Sequence, residues 1–422
     1  MPIMHLFFPG LSPTIRAETI CPYNYLIQRE AAMNILIKFL SMEPIENLVT
    51  AMHWRIDKII FFGYEDYLAH RKKDTESFLK KYCRVGRVEF HTVSRTNLDN
   101  ILKKIREQVI AEHEYGNSVF LDLTGGKGQV LAAFGMVEKE LSLPMHLYWI
   151  SEDRLIEYCH EKEKRLSSIV QPQSVELDLN RYIEMRGGVI NYRMHKEIKE
   201  IDDEETEEIV NSIWSLFLKY EESWSAISGF LQRTLRTESL QITLDSHDVR
   251  DELKKSRSLP PVLLEQFLTD GEKRGIIRDL SLSRRDISFR FRSYTVRNIL
   301  ADAGSILELH VYQIFRAQTP NCKVGVHLDW DGIIHNRSGK DVVNEIDVLV
   351  LHGLIPTFIS CKIGTADKNA LYELSAVAAR FGGRFSKMML VAGKGMSETD
   401  LLRAAEMDIQ VMNRDMTLLN PE

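Results

Sequence analysis

In the first third of the chain, short apolar runs alternate with helical patterns, and this alternation restricts the fold more than any other feature. The runs MHLFFPG (Met4 to Gly10), IDKIIFFGYE (Ile56 to Glu65), VEFHTV (Val88 to Val93), SVFLDLTGG (Ser118 to Gly126) and MHLYWIS (Met145 to Ser151) are rich in β-branched and aromatic residues. Such runs are typical of buried strands. Between them, Leu98, Ile101, Leu102, Ile105 and Val109 recur at helical spacing, with Thr96 or Asn97 in the N-cap position. Strand then helix, repeated at βαβ length, predicts a parallel sheet covered on both faces, a Rossmann-like domain.

Ligands of such sheets sit at the carboxyl ends of the strands. Two loops there draw attention. GLSPT, with Leu11, Ser12, Pro13 and Thr14, follows the first apolar run and supplies two hydroxyls. TGGKGQ, with Thr124, Gly125, Gly126, Lys127, Gly128 and Gln129, follows a strand and opens a helix. Its glycines let backbone N–H groups approach a phosphate, and Lys127 adds charge. A bare glycine pair is more often only a tight turn, but its position after a strand favours a ligand. GxGxxG is absent from the first βα turn and GxxxxGK[ST] from the whole chain, which argues against NAD and ATP.

A length of 422 residues requires two or three domains. The net charge of −6 argues against non-specific nucleic-acid binding by the whole surface, although not against a local basic patch. Five scattered cysteines without a CxxC pair read as reduced thiols rather than a zinc site. No run reaches the length of a membrane span, and the N-terminal stretch lacks the basic and long apolar regions of a leader, so a soluble cytoplasmic protein is expected.

The middle of the chain divides at KEIKEIDDEETEEIV (Lys196 to Val210), whose like charges suit a solvated helix start or linker. Helical spacing follows, with a second helix after Pro260–Pro261. In SRRDISFRFRS, Ile287, Phe289 and Phe291 alternate with Ser288, Arg290 and Arg292, giving a strand with one basic face. This is either the wing of a winged-helix DNA reader, or a face that is solvated or contacts the acids of a partner subunit, and the two readings weigh equally.

Beyond Arg297 the expected order is helix (Asn298 to Phe315), strand (Lys323 to Asp329), strand (Val342 to Leu351), strand (Pro356 to Ile363), helix (Asp367 to Phe381), strand (Lys387 to Val391), helix and a last strand at DIQVMN. Strict alternation puts Glu345 and Asp347 on one face of the second strand, opposite Ile346, Val348 and Val350. Ser360 and Lys362 share a face of the third, and the turn at His352–Gly353 brings Asp347 within their reach. For any single acid–lysine pair, a structural ion pair is the commoner explanation.

Two resemblances organise these observations. DLTGGKG is similar to the turn that ends the fourth strand of CRISPR-associated Rossmann fold (CARF) sensor domains, over roughly the first 150 residues. The αβββαβ order resembles the PD-(D/E)xK, or restriction-endonuclease-like, nucleases, whose marks are a helix acid, an acid on the second core strand and (D/E)xK on the third. The chain thus resembles type III CRISPR ancillary effectors that join the two. The expected class is α/β: a CARF sensor over residues 1–153, a mostly helical connecting region with a winged element over 154–297, and a nuclease domain over 298–422.

The resemblance implies Glu308 as helix acid, Asp347 as principal metal ligand and Lys362 as catalytic lysine, with Mn²⁺ or Mg²⁺ held by Glu308, Asp347 and Glu345. This sequence departs from the pattern at Ser360, where the family has a carboxylate. Glu345 as a migrated acid, a single-metal site and a weakened enzyme are the three readings this leaves, and the remaining acids favour activity. The resemblance also implies a homodimer activated by a cyclic oligoadenylate, with cyclic tetra-adenylate as the expected ring, and cleavage of RNA or DNA with little sequence specificity. The competing reading is a ligand-responsive DNA-binding regulator with an inert last domain.

Overall fold

The computed structural model of the protein describes residues 32–152, 154–158, 167–168, 175–194, 204–235, 239–255, 259–283, 286–334 and 342–421. The expected strand Met4 to Gly10, and with it Leu11, Ser12, Pro13 and Thr14, lies outside these residues.

Among the described residues the first sheet begins at β1 (Asn34–Phe39), followed by α1 (Pro44–His53), β2 (Lys58–Gly63), α2 (Glu65–Tyr82), β3 (Arg87–Thr92), α3 (Leu98–Glu114), β4 (Ser118–Asp122), α4 (Gly128–Leu141) and β5 (Met145–Trp149). These strands run parallel in the order β3-β2-β1-β4-β5, the doubly wound arrangement expected. Two antiparallel strands, β6 (Arg154–Tyr158) and β7 (Ser167–Ser168), extend the sheet to seven and carry it past residue 153.

Along β1 the side chains divide by the period of two. Ile35, Ile37 and Phe39 join a core with Ile101, Ile105 and Val109 of α3 and Val130 and Phe134 of α4. Leu36 packs on the other face with Ile45 and Leu48 of α1 and Phe78 of α2. Asn97 caps α3 by accepting the Asn100 N–H, as its position in the sequence suggested.

Next come α5 (Leu179–Met185) and β8 (Val189–Ile190), and β8 pairs not with the first sheet but with the last. The middle unit contains α6 (Glu204–Lys219), α7 (Trp224–Thr234), β9 (Gln241–Asp245), α8 (Ser246–Lys255), α9 (Pro261–Lys273), β10 (Ile277–Leu282) and β11 (Asp286–Phe291). Its three strands form an antiparallel sheet, β10-β11-β9, so the order from α7 to β11 is that of a winged helix. Ile287, Phe289 and Phe291 are buried and Arg290 is exposed, in line with the alternation of that strand.

The C-terminal unit comprises α10 (Tyr294–Ala301), α11 (Ser305–Arg316), β12 (Cys322–Asp329), β13 (Val343–His352), β14 (Ile355–Lys362), α12 (Lys368–Phe381), β15 (Lys387–Ala392), α13 (Glu398–Glu406) and β16 (Ile409–Met412). Its sheet runs β16-β15-β14-β13-β12-β8; β12, β13 and β14 form an antiparallel meander and β14, β15 and β16 are parallel. One face is covered by α11, through Leu307 and Val311 on Val348, Val350, Ile359 and Cys361. The other is covered by α12, through Leu371, Leu374 and Phe381 on Leu349, Leu351 and Phe358.

The single helix expected over Asn298 to Phe315 is two. Asp302 turns to extended backbone (φ −121°, ψ 109°), and its carboxylate accepts the Gly304 N–H at 3.2 Å and the Ser305 hydroxyl at 2.9 Å. These local bonds compete with continued helix and place Glu308 in the first turn of a new one.

Candidate active site and sensor turn

The hairpin of β13 and β14 closes through a two-residue turn in which Gly353 takes φ +60°. Its ladder runs from His352 opposite Ile355 to Val348 opposite Ile359 and ends there. Beyond that point the Asp347 carboxylate replaces the missing rung: Oδ2 accepts the Cys361 N–H at 2.6 Å and the Ser360 hydroxyl at 3.1 Å. The two strands therefore fork at a carboxylate, and Lys362 lies just past the fork on β14.

Strict alternation fails at this position. Val348 and its cross-strand partner Val324 pack under α11, whereas Ile346 and its partner Val326 join the core on the α12 side. Ile346, Val348 and Val350 therefore do not share a face. Between the two pairs lies Gly325, whose left-handed backbone (φ +59°) lets β12 change face opposite Asp347.

Around the fork, Glu308 is 9% exposed. Glu308 and Asp347 both act on the buried Cys361 thiol, which burial pushes well above its ordinary value and the two acids push further. Glu345 is more open and lies opposite His327, its Oε2 3.9 Å from the imidazole Nε2. The ligand atoms of Glu308, Glu345 and Asp347 do not all fall within 4.8 Å of one another; among the described residues only those of the exposed Asp245 and His247 and the half-buried Asp248 do. The Lys362 ammonium makes no hydrogen bond or ion pair among the described residues, yet its charge bears on Asp347.

Burial raises the Asp347 carboxyl above its ordinary value; the Cys361 N–H, Lys362 and Ser360 draw it down, and Glu345 raises it again. The Oδ1 oxygen makes no hydrogen bond among the described residues. A desolvated carboxylate with one uncommitted oxygen, flanked by two further acids, suits a hard divalent cation such as Mg²⁺ or Mn²⁺. The described cysteines are buried, and burial pushes the Cys83 and Cys322 thiols up to about 12.

In the first domain, Thr124 is buried and Lys127, Gly128 and Gln129 are exposed, so the turn presents its far end to solvent. Gly125 takes φ +74°. The Asp122 carboxylate accepts the Thr124 N–H at 2.8 Å, and the Thr124 hydroxyl accepts the Tyr148 N–H at 2.8 Å, which pins the start of the turn to β4 and β5. Lys127 is the N-cap of α4 and makes no side-chain cap hydrogen bond, so the first helical N–H groups are not capped by it.

Among the described residues the loop after β1 is Leu40 to Glu43, which sequence reading did not single out. The missed signal is NILIKF followed by Ser41 and a proline at the start of α1. Lys38 interrupts that run, but it is wholly buried and paired with Asp122 at 2.7 Å.

As for the winged element, the exposed face of α9 carries Val262, Glu265, Gln266 and Glu272, with Lys273 at its end, which is not a basic stripe. No helix among the described residues is long and apolar enough to cross a membrane.

Residues 294–418 match the family model for the Card1-like endonuclease domain. Among solved structures, protein VC1899 from Vibrio cholerae aligns over 91% of this chain and 94% of its own at 19% identity, with a TM-score of 0.66. Can2 from Sulfobacillus thermosulfidooxidans, solved in complex with cyclic tetra-adenylate, aligns over 90% and 94% at 16% identity, with a TM-score of 0.60. A type III CRISPR defence DNA nuclease activated by cyclic oligoadenylate aligns over 86% and 46% at 15% identity, with a TM-score of 0.45. No curated protein matches the sequence significantly. The first two similarities extend the shared fold across both sheets and the unit between them.

Proposed function

We propose that this chain, whose residues 294–418 form a Card1-like endonuclease domain, is a cyclic oligoadenylate-activated, metal-dependent nuclease of CRISPR antiviral defence that cuts RNA or DNA with little sequence specificity. The observation that carries the reading is the position of Asp347: the matched segment contains Glu308, Glu345, Asp347, Ser360 and Lys362, and its core hairpin forks at that carboxylate.

Glu308, Asp347 and Glu345 would hold Mn²⁺ or Mg²⁺, which when bound polarises a phosphoryl oxygen and acidifies water. Asp347 orients the site through its bonds to β14. The Lys362 ammonium, without a partner among the described residues, is available to the charge that develops on the phosphoryl group. Ser360, in the place of an acid, donates to Asp347 and orients it.

Activation is read from the sensor turn. Thr124 to Gln129 present backbone N–H groups and Lys127 to a phosphate, and Can2, with the same fold, was solved with cyclic tetra-adenylate. A two-fold symmetric ring suits a homodimer with one ligand across both sensor domains. Ligand-driven activation requires that the ring prefer the cleaving conformation.

The test is cleavage of fluorescent single-stranded RNA and of plasmid DNA with Mn²⁺, with and without cyclic tetra-adenylate, by the native chain and by Asp347→Ala. Cleavage that needs both the activator and Asp347 is the expected result. DNA binding without cutting under every condition would favour the regulator.

A further inference from the structure

Glu46 sits where three parts of the molecule meet. It lies in the first turn of α1, 2% exposed, and its Oε2 accepts the Ser41 hydroxyl at 2.5 Å. Its other oxygen pairs with the guanidinium of Arg384, in the short turn Gly383–Phe385 between α12 and β15 of the endonuclease domain. Beside it, Glu43 accepts the Arg384 backbone N–H at 3.3 Å and pairs with Arg186.

The same carboxylate lies against the sensor turn. A Cβ built on Gly125 would fall 2.6 Å from Glu46 Oε2, so backbone and carboxylate are already in close contact. The Glu46 carbonyl accepts the Lys38 ammonium at 2.6 Å; Lys38 pairs with Asp122, and Asp122 holds the Thr124 N–H. Gly125 therefore lies beside Thr124, which is tied to β4, and against Glu46, which is paired with Arg384 of the endonuclease domain.

We propose that Arg384 of the endonuclease domain is a positioning residue for the sensor turn, acting through Glu46, so that a ligand displacing the turn displaces Arg384. The inference rests on the turn being the activator site. A buried carboxylate cannot shed its cation without leaving a desolvated charge uncompensated, so Glu46 and Arg384 move together. Burial raises the Glu46 carboxyl above its ordinary value, with the Ser41 hydroxyl and Arg384 drawing it back. The Arg384 side chain is 62% exposed, which leaves it free to follow. Coupling of this kind is reciprocal between ligand and domain.

The experiment uses the full chain and cyclic tetra-adenylate as probe, with three readouts: binding by calorimetry, cleavage with and without the probe, and hydrogen exchange of residues 382–386. The native chain is expected to change exchange at 382–386 on binding. Arg384→Met is expected to lower stimulation about tenfold while leaving unstimulated cleavage unchanged, and Arg384→Lys to recover part of it. Unchanged exchange at 382–386 in a native chain that binds the probe overturns the inference. So does stimulation of Arg384→Met equal to the native level, or an equal loss of basal and stimulated cleavage. If the native chain does not bind the probe, the sensor reading falls and this inference with it. If it binds but never cuts, the nuclease reading alone falls and the exchange experiment still decides. Thermal unfolding identifies a variant that fails to fold, and the native exchange result then decides.

Discussion

The Asp347 carboxylate accepts the Cys361 backbone N–H at 2.6 Å, just where the ladder between their two strands has ended. One side chain thus closes a gap in the sheet and supplies the principal acid of the candidate site. Asp347→Asn keeps an oxygen for Cys361 but loses the charge. It is expected to fold like the native chain and to lose cleavage by about 10²-fold or more. Asp347→Ala loses both, and the unsatisfied N–H costs about 1–3 kcal/mol. Cleavage assays paired with urea unfolding separate the two effects; an active Asp347→Asn would remove this residue from the chemistry.

Lys362 joins the β14–β15 ladder through its backbone, and its ammonium makes no hydrogen bond or ion pair among the described residues. Lys362→Ala is expected to change stability by no more than about 0.5 kcal/mol and to reduce cleavage by about 10²–10³-fold. A loss of stability in step with activity would mark Lys362 as structural.

In the proposed site Glu345, rather than Ser360, takes the role of the absent acid. Glu345→Gln is expected to raise the Mn²⁺ concentration for half-maximal cleavage about 10–100-fold, whereas Ser360→Ala, which removes only an orienting bond to Asp347, has a smaller effect. The opposite ranking in a metal titration would assign the acid's role to Ser360.

Lys127→Ala should raise the cyclic tetra-adenylate concentration needed for activation and leave saturated cleavage largely intact, because Lys127 is exposed and far along the chain from the fork. An unchanged activation curve would take Lys127 out of the ligand site.

Lys38 and Asp122 occupy paired positions on neighbouring parallel strands and are both wholly buried. Asp122→Asn leaves the lysine charged without its partner and is expected to cost about 3–5 kcal/mol, while Lys38→Met with Asp122→Leu stays near the native stability. Burial opposes ionisation of Asp122, but Lys38 together with hydrogen bonds to the carboxylate more than offsets it, so the folded carboxyl lies below its ordinary value. The contribution of Asp122 is then fully present above its unfolded value of about 3.9 and is lost as pH falls through the folded value. The native and double-variant chains should stay close in stability from neutral pH to about 5, and the native chain should fall below the double variant in stronger acid.

Periodicity alone located much of this protein. The strand at Lys387, the helix ending at Phe381 and the hairpin through Gly353 were legible because each depends on neighbours a few residues away. So were Asp347, Ser360 and Lys362 as a group, since a two-residue turn fixes which positions of a hairpin meet. Asn34–Phe39 was not legible: a lysine in an apolar run reads as surface until its partner on β4 is known. The helix break at Asp302 depends on side chains bonding their own backbone, and the change of face at Asp347 depends on a glycine in the left-handed region of the opposite strand.

Most dependent on the tertiary fold is the meeting of Glu46 with Arg384, 338 residues away in sequence. Local pattern determines which elements form and which of their faces are apolar, because those are set by backbone geometry and burial over a few residues. Which buried charge finds which partner is decided only when the two sheets pack, because a charge out of water is tolerable only beside its counter-charge.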